Sequence, residues 1–221
     1  VTSGAGRIGR FAGVPTYVVR VWIPDRPGAL GQVASRIGAV RGDVIGIEIL
    51  ERGAGQAIDD LVVSLPSAEL LDLLVREISQ VDDVAVEYVR AVGSEPAEHG
   101  VMALGIAAQL VGAHPPERLC LLGSELVELL EAEWSVVVAL DPATVLAQVG
   151  SAPDLEWLMA FLEGIRHLPA GELSSHTPSD LAWAYLERRG AAVALGRPHR
   201  AFRSRERQMV ELLGRIADTL A

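Results

Sequence analysis

Residues 17–30 constrain the fold more than any other stretch of the chain. Tyr17-Val18-Val19-Arg20-Val21-Trp22-Ile23 is a run of β-branched and aromatic residues that reads as a strand. Pro24-Asp25-Arg26-Pro27-Gly28 interrupts it with turn chemistry. Leu30, Val33, Ala34, Ile37 and Val40 then recur at helical spacing and predict a helix with one apolar face. Asp25 stands where a carboxylate could cap the first turn, and Pro27 costs nothing at a helix start because its missing N–H has no intrahelical partner there. Gly28 leaves no side chain over the amides of Gly28, Ala29 and Leu30, and such amides favour a carboxylate or phosphate. The same residues also describe a plain capped helix with no ligand.

The residues beyond the turn separate these readings. Gly42 ends the helix, Val44 to Leu50 reads as a second strand, Arg52-Gly53-Ala54-Gly55 as a turn, and Ile58 to Leu65 as a third strand. Pro66-Ser67 opens a second helix carrying Leu70, Leu71, Leu74, Val75 and Ile78, and Val84 to Val92 is a fourth strand. The order β-α-β-β-α-β is the ferredoxin-like split βαβ sandwich. With Asp25-Arg26-Pro27-Gly28-Ala29-Leu30 at its first strand–helix turn, the segment 15–93 resembles the ACT domain, a regulatory module that commonly binds amino acids. The resemblance implies a ligand held by Asp25, Pro27, Gly28, Ala29 and Leu30 together with Val44 and Ile45, the last two from a second subunit. Amino-acid-binding members often begin the second strand Gly-x-Asn-Ile, whereas this chain has Gly42-Asp43-Val44-Ile45. Val44 in place of the polar contact implies weak binding and a preference for apolar amino acids.

Composition narrows the classes of function. All 19 basic residues of the 221 are Arg, and there is neither Lys nor Asn, which excludes a Schiff-base lysine, a Walker phosphate loop and a kinase lysine. The net charge of −10 argues against nucleic acid as a partner, since that binding depends on neutralising phosphates. A single cysteine, Cys120, cannot form an internal disulfide, and its place beside an apolar helical stripe predicts a buried thiol. Val1 to Gly13 lacks the apolar core of a signal peptide. The run Val101 to Ala113 is shorter than the roughly 20 residues that span a bilayer. A cytoplasmic protein with no membrane partner is expected. Gly4-Ala5-Gly6-Arg7-Ile8-Gly9 spells a dinucleotide fingerprint, but no strand precedes it and Pro15 comes soon after, so residues 1–14 are read as a tail.

Residues 94–100 are polar and carry Pro and Gly, which marks a linker. Beyond it, helices are predicted around Met102 to Val111, apolar nearly all round, and from Pro116 to Ala132. Trp134 to Leu140 and Thr144 to Val149 read as strands, and Leu155, Leu158, Met159, Leu162 and Ile165 mark a helix. From Ser179 to Leu186 the signals conflict: Pro178 and Gly190 frame a helix, but the alternation Leu181, Trp183, Tyr185 suits a strand. Ala191 to Leu195 is a strand, and Met209, Leu212, Leu213, Ile216 and Leu220 define a closing helix. Trp134 to Leu140, Gly190 to Pro198, and Phe202 with Ser204, Glu206 and Arg207 resemble a GAF domain, which extends the likeness over 101–221. That resemblance implies a central antiparallel sheet flanked by helices, with Leu181 to Leu186 as a strand. Its cyclic-nucleotide signature needs Asn and Lys, and its tetrapyrrole carriers need a cysteine at the pocket. This chain offers neither, so no cofactor is expected.

No constellation supports catalysis. His99, His114, His167, His176 and His199 are scattered, without ligand spacing, so no metal site is predicted. Ser174-Ser175-His176 with Asp180 has the residue types of a hydrolase triad, but no nucleophile elbow frames it. Residues 188–207 concentrate seven Arg against Glu206 alone. Arg197, Arg200 and Arg203 are thus either an anion or partner patch or cations neutralised within the chain by acidic helices. The expected protein is an α+β, two-domain, non-enzymatic homodimer that senses an amino acid or similar small molecule through its first domain and signals through its second. A dimeric scaffold with vestigial pockets is the alternative.

Overall fold

The computed structural model describes residues 14–93, 98–167 and 178–220. The Gly4–Gly9 fingerprint, the Ser174-Ser175-His176 cluster, residues 1–13 of the tail and residues 94–97 of the linker lie outside the described residues. The chain divides at Pro96/Ala97 into two compact units.

The first unit runs β1 (Thr16–Pro24), α1 (Ala29–Ala39), β2 (Asp43–Gly53), β3 (Gln56–Ser64), a 3-10 turn (Ala68–Leu70) leading into α2 (Leu71–Ile78), and β4 (Ala85–Val92). The four strands form an antiparallel sheet in the order β2-β3-β1-β4, which is the ferredoxin-like arrangement. Alternate residues of β1 sort the faces. Tyr17, Val19, Val21 and Ile23 join Val33 and Ile37 of α1 and Leu74 and Ile78 of α2 in one core. Arg20 on the opposite face is buried in a two-pronged ion pair with Asp60, at 2.8 Å on both prongs. Trp22 on the same face is half-buried, and its indole N–H donates to Glu87 Oε2 at 2.9 Å. The exposed apolar residues of this unit's sheet are instead Ile45, Ile47 and Ile49 of the edge strand β2.

The second unit runs α3 (His99–Gly112), a 3-10 turn (Pro115–Glu117), α4 (Arg118–Leu130), β5 (Trp134–Leu140), β6 (Ala143–Val149), α5 (Leu155–Arg166), β7 (Leu181–Leu186), a 3-10 turn (Glu187–Arg189), β8 (Ala191–Gly196) and α6 (Ser204–Thr219). Its antiparallel sheet has the order β6-β5-β8-β7. The conflict at 181–186 resolves as a strand because both of its faces are used. Ala182, Ala184 and Leu186 pack with α3, α4 and α6, whereas Leu181, Trp183 and Tyr185 pack with α5. β8 lies between β5 and β7 with every residue buried, which is why it reads as an uninterrupted apolar run.

Three expectations fail here. Cys120 is exposed, because the side of α4 that packs inward carries Leu122, Leu126 and Leu129 and turns residue 120 away. Leu212 of α6 is 44% exposed, and Val210, Leu213 and Ala217 take the inner face. The helix expected around Met102 already begins at His99, inside the expected linker. Only Ile106 and Leu110 of it are fully buried, and Val101, Leu104 and Val111 face outward.

Candidate functional site

The site begins with how β1 hands over to α1. Strand pairing ends at Pro24, where β1 faces Gln56 of β3. Asp25 then turns away from the sheet, and its backbone N–H donates to the Gly55 carbonyl at 2.9 Å. This ties the turn to the β2–β3 hairpin, whose Ala54 and Gly55 both adopt positive φ. Asp25 is exposed and does not cap the helix, contrary to expectation. The N-cap is Gly28, with φ 87°, and no side chain caps α1 among the described residues. Pro27 lies in the turn before the helix, not in its first position. A Cβ built on Gly28 would meet nothing within 4 Å, so the space over the helix start is open. Of the three expected amides, that of Ala29 already donates to the Arg26 carbonyl at 3.3 Å. Ala29 is buried and Leu30 half-buried, both at the rim of the core.

Val44 and Ile45 are not brought to this turn within one chain. Val44 faces Val63, which faces Tyr17 near the start of β1, at the other end of the sheet. The chain places Asp59 at the turn end instead. Its register partners are Val21 on β1 and Ile49 on β2. It therefore shares the helix side with Val21, while Asp60 points to the other face and Arg20. α1 crosses from the end of β1 to the start of β2, and β3 lies between those strands, so the helix passes over β3 with its N-terminus at the Asp59 end. Asp59 is only 5% exposed, and its Oδ1 finds no hydrogen-bond partner among the described residues. Burial pushes its carboxyl above the usual 3.8, Arg52 of the hairpin opposes this, and Asp60 and Asp25 add to it. Sequence reasoning passed over Asp59. The available signal was the Asp59-Asp60 pair inside an apolar strand, which must send one carboxylate to each face.

In the second unit, Arg197 is buried and donates to Glu206 Oε2 at 2.7 Å and to the carbonyls of Leu130, Arg200 and Ala201. Its guanidinium also lies 4.0 Å from the Phe202 ring centre. Arg200 binds the Glu131 carboxylate at 2.5 Å. The backbone N–H of Arg203 donates to Glu206 at 2.7 Å, which fixes the start of α6. Glu206 thus serves two of the three arginines, and Arg197 is a strut between the end of α4 and the start of α6. A cavity of about 410 Å³ opens elsewhere, between Leu140, Asp141, Met159, Glu163, Arg166 and Tyr185. The Tyr185 hydroxyl donates to the Leu162 carbonyl at 2.5 Å, and burial pushes its pKa up. Among the described residues no three His, Cys, Asp or Glu gather as a metal site, and no helix is long and apolar enough to cross a membrane.

No family model matches the chain, and neither does any curated protein. Solved structures do. The ACT domain from the GTP pyrophosphokinase of Chlorobium tepidum matches at 17% identity and a TM-score of 0.28, over 35% of this chain and 96% of that one. The C-terminal domain of the MgtC protein from Mycobacterium tuberculosis matches at 22% identity and a TM-score of 0.32, over 39% of this chain and 97% of that one. The bacteriophytochrome RpBphP3 of R. palustris matches at 13% identity and a TM-score of 0.42, over 79% of this chain and 47% of that one. The α+β assignment of both units rests on the strand order and register of the chain itself.

Proposed function

We propose that the protein is a non-enzymatic regulatory sensor whose first unit takes an apolar amino acid at the β1–α1 turn and whose second unit passes the signal on. The observation that supports this most is the start of α1. It is an N-terminus without a side-chain cap, lying under open space at a left-handed glycine. A turn serving only as scaffold has no need of that opening. Asp25, Pro27, Gly28, Ala29 and Leu30 form one wall of the proposed site.

The other wall comes from a second copy. β2 is an edge strand whose Ile45 and Ile47 are about half exposed, and such an edge invites strand pairing. Antiparallel pairing of β2 with its symmetry mate would carry Val44 and Ile45 of one subunit towards the turn end of the other. A self-complementary apolar strip suits a closed two-fold dimer. On α3, Val101, Leu104, Ala108 and Val111 recur at three- and four-residue steps on an uncharged, exposed face, a second surface of the same kind. The protein so described is a cytoplasmic homodimer without a cofactor.

A thermal-shift screen of the full chain against the twenty amino acids tests the reading. Saturating ligand at a hundredfold excess over Kd stabilises by about 2.7 kcal/mol, so at least one apolar amino acid should raise the melting temperature. If none does, the scaffold reading gains. Substituting Gly28 is a poor test, because at φ 87° any side chain strains the backbone as well as covering the amides.

A further inference from the structure

Asp59 is unexplained by packing. A buried carboxylate without hydrogen bonds is costly, and its neighbour Asp60 shows the usual remedy, an arginine held at two points. Asp59 has none. It is 5% exposed with Oδ1 unpartnered among the described residues, and it stands at the sheet end where the uncapped α1 begins. Its neighbour on the edge strand, Ile49, is 37% exposed, so Asp59 lies one strand in from solvent.

We infer that Asp59 receives the ammonium group of the ligand, so that the open helix start and β3 together read both charges of a free α-amino acid. The inference rests on the reading of the β1–α1 turn as a ligand site and adds to it a residue and a specificity. A helix N-terminus alone accepts any small carboxylate. A buried carboxylate close by adds the demand for a cation. A primary ammonium can give one of its three N–H donors to Oδ1. A metal ion would need more ligands than the described residues gather here. The charged groups facing Asp59 agree with this. Arg52 of the hairpin is exposed and forms no ion pair with it, Asp25 of the turn is negative, and Asp60 lies on the other face, paired with Arg20. The apolar flank, Val21 and Ile49, leaves the remaining selection to the side chain.

Two measurements on the full chain and its Asp59→Asn variant test this. The first is calorimetry with valine, leucine and phenylalanine, each beside its deaminated acid: 3-methylbutanoate, 4-methylpentanoate and 3-phenylpropanoate. The expected result is that the parent prefers the amino acid to the acid. Asp59→Asn should weaken the amino acid tenfold or more and leave the acid unchanged or tighter. If Asp59→Asn binds the amino acid as the parent does, the inference falls and the turn remains a ligand site. If the parent binds none of the three amino acids, the reading of the turn falls and the inference with it. The second is the melting temperature without ligand at pH 7, which should rise in Asp59→Asn. A fall would mean that Asp59 holds the fold through contacts of its own, and would overturn the inference.

Discussion

Two adjacent aspartates on β3 meet opposite fates, and the difference is one of face. Asp60 lies opposite Arg20 and shares a buried ion pair with it, under the Tyr88 ring 4.8 Å from the guanidinium. Removing Arg20 strands a buried charge. Arg20→Leu should therefore cost about 3–5 kcal/mol in urea unfolding of the first unit. The Arg166–Glu187 pair, half exposed at 2.9 Å, is the control, and Arg166→Ala should cost under about 1 kcal/mol. Equal losses would contradict this account of Arg20. Asp59 makes stability depend on pH. Its folded-state pKa is raised above 3.8, so its contribution to stability is fully present below pH 3.8 and is lost as the pH rises through the raised value. Melting curves of the parent and Asp59→Asn should converge in acid and separate towards neutrality, with the variant the more stable. Parallel curves across that range would show that Asp59 does not titrate as argued.

At the scale of elements, α1 ends in a Schellman motif: the Gly42 N–H donates to Ile37 and the Arg41 N–H to Gly38, at 3.0 and 2.9 Å. The left-handed residue is Arg41, at φ 61°, although Gly42 is the residue that reads as the stop in the sequence. Gly42 is held by packing instead, since a Cβ there would meet Ile37 Cγ2 at 2.9 Å. Arg41→Gly should therefore stabilise the first unit by about 1 kcal/mol, measured by thermal unfolding, and an unchanged or lower melting temperature would refute it. Element types were legible because periodicity reports burial: the strand-helix order of residues 17–92 and the apolar run of β8 come from spacing. What was not legible depended on which of two neighbouring residues a helix turns inward. Cys120 and Leu212 sit next to inward-facing leucines and read as core, yet both face out. The helix start was legible as a turn, though the Ala29 amide, expected to be open, is taken by the Arg26 carbonyl. Its cap was not, because Asp25 can cap or leave, and its backbone N–H bond to Gly55 takes it away.

At the scale of the whole molecule, the proposed site would have its walls divided between two copies. Within one chain, Val44 and Ile45 stand at the wrong end of the sheet for the β1–α1 turn, and only pairing through β2 would join them. Asp59 was invisible to the resemblance read from the sequence, because that resemblance marks the first turn and the second strand, not the third. If the edge strand is the interface, Ile47→Asp should place a charge in it and shift sedimentation from dimer to monomer at micromolar concentration, with amino-acid affinity falling in parallel. A monomeric parent would remove the second wall. The most direct measurement is an amide NMR titration of the full chain with the amino acid giving the largest thermal shift. The expected result is saturable movement of the Gly28, Leu30 and Gly31 amides together with those of Val44, Ile45 and Asp59. Movement confined to the residues around Leu140, Met159 and Tyr185, or no saturable movement with any amino acid, would contradict the assignment of the site to the first unit.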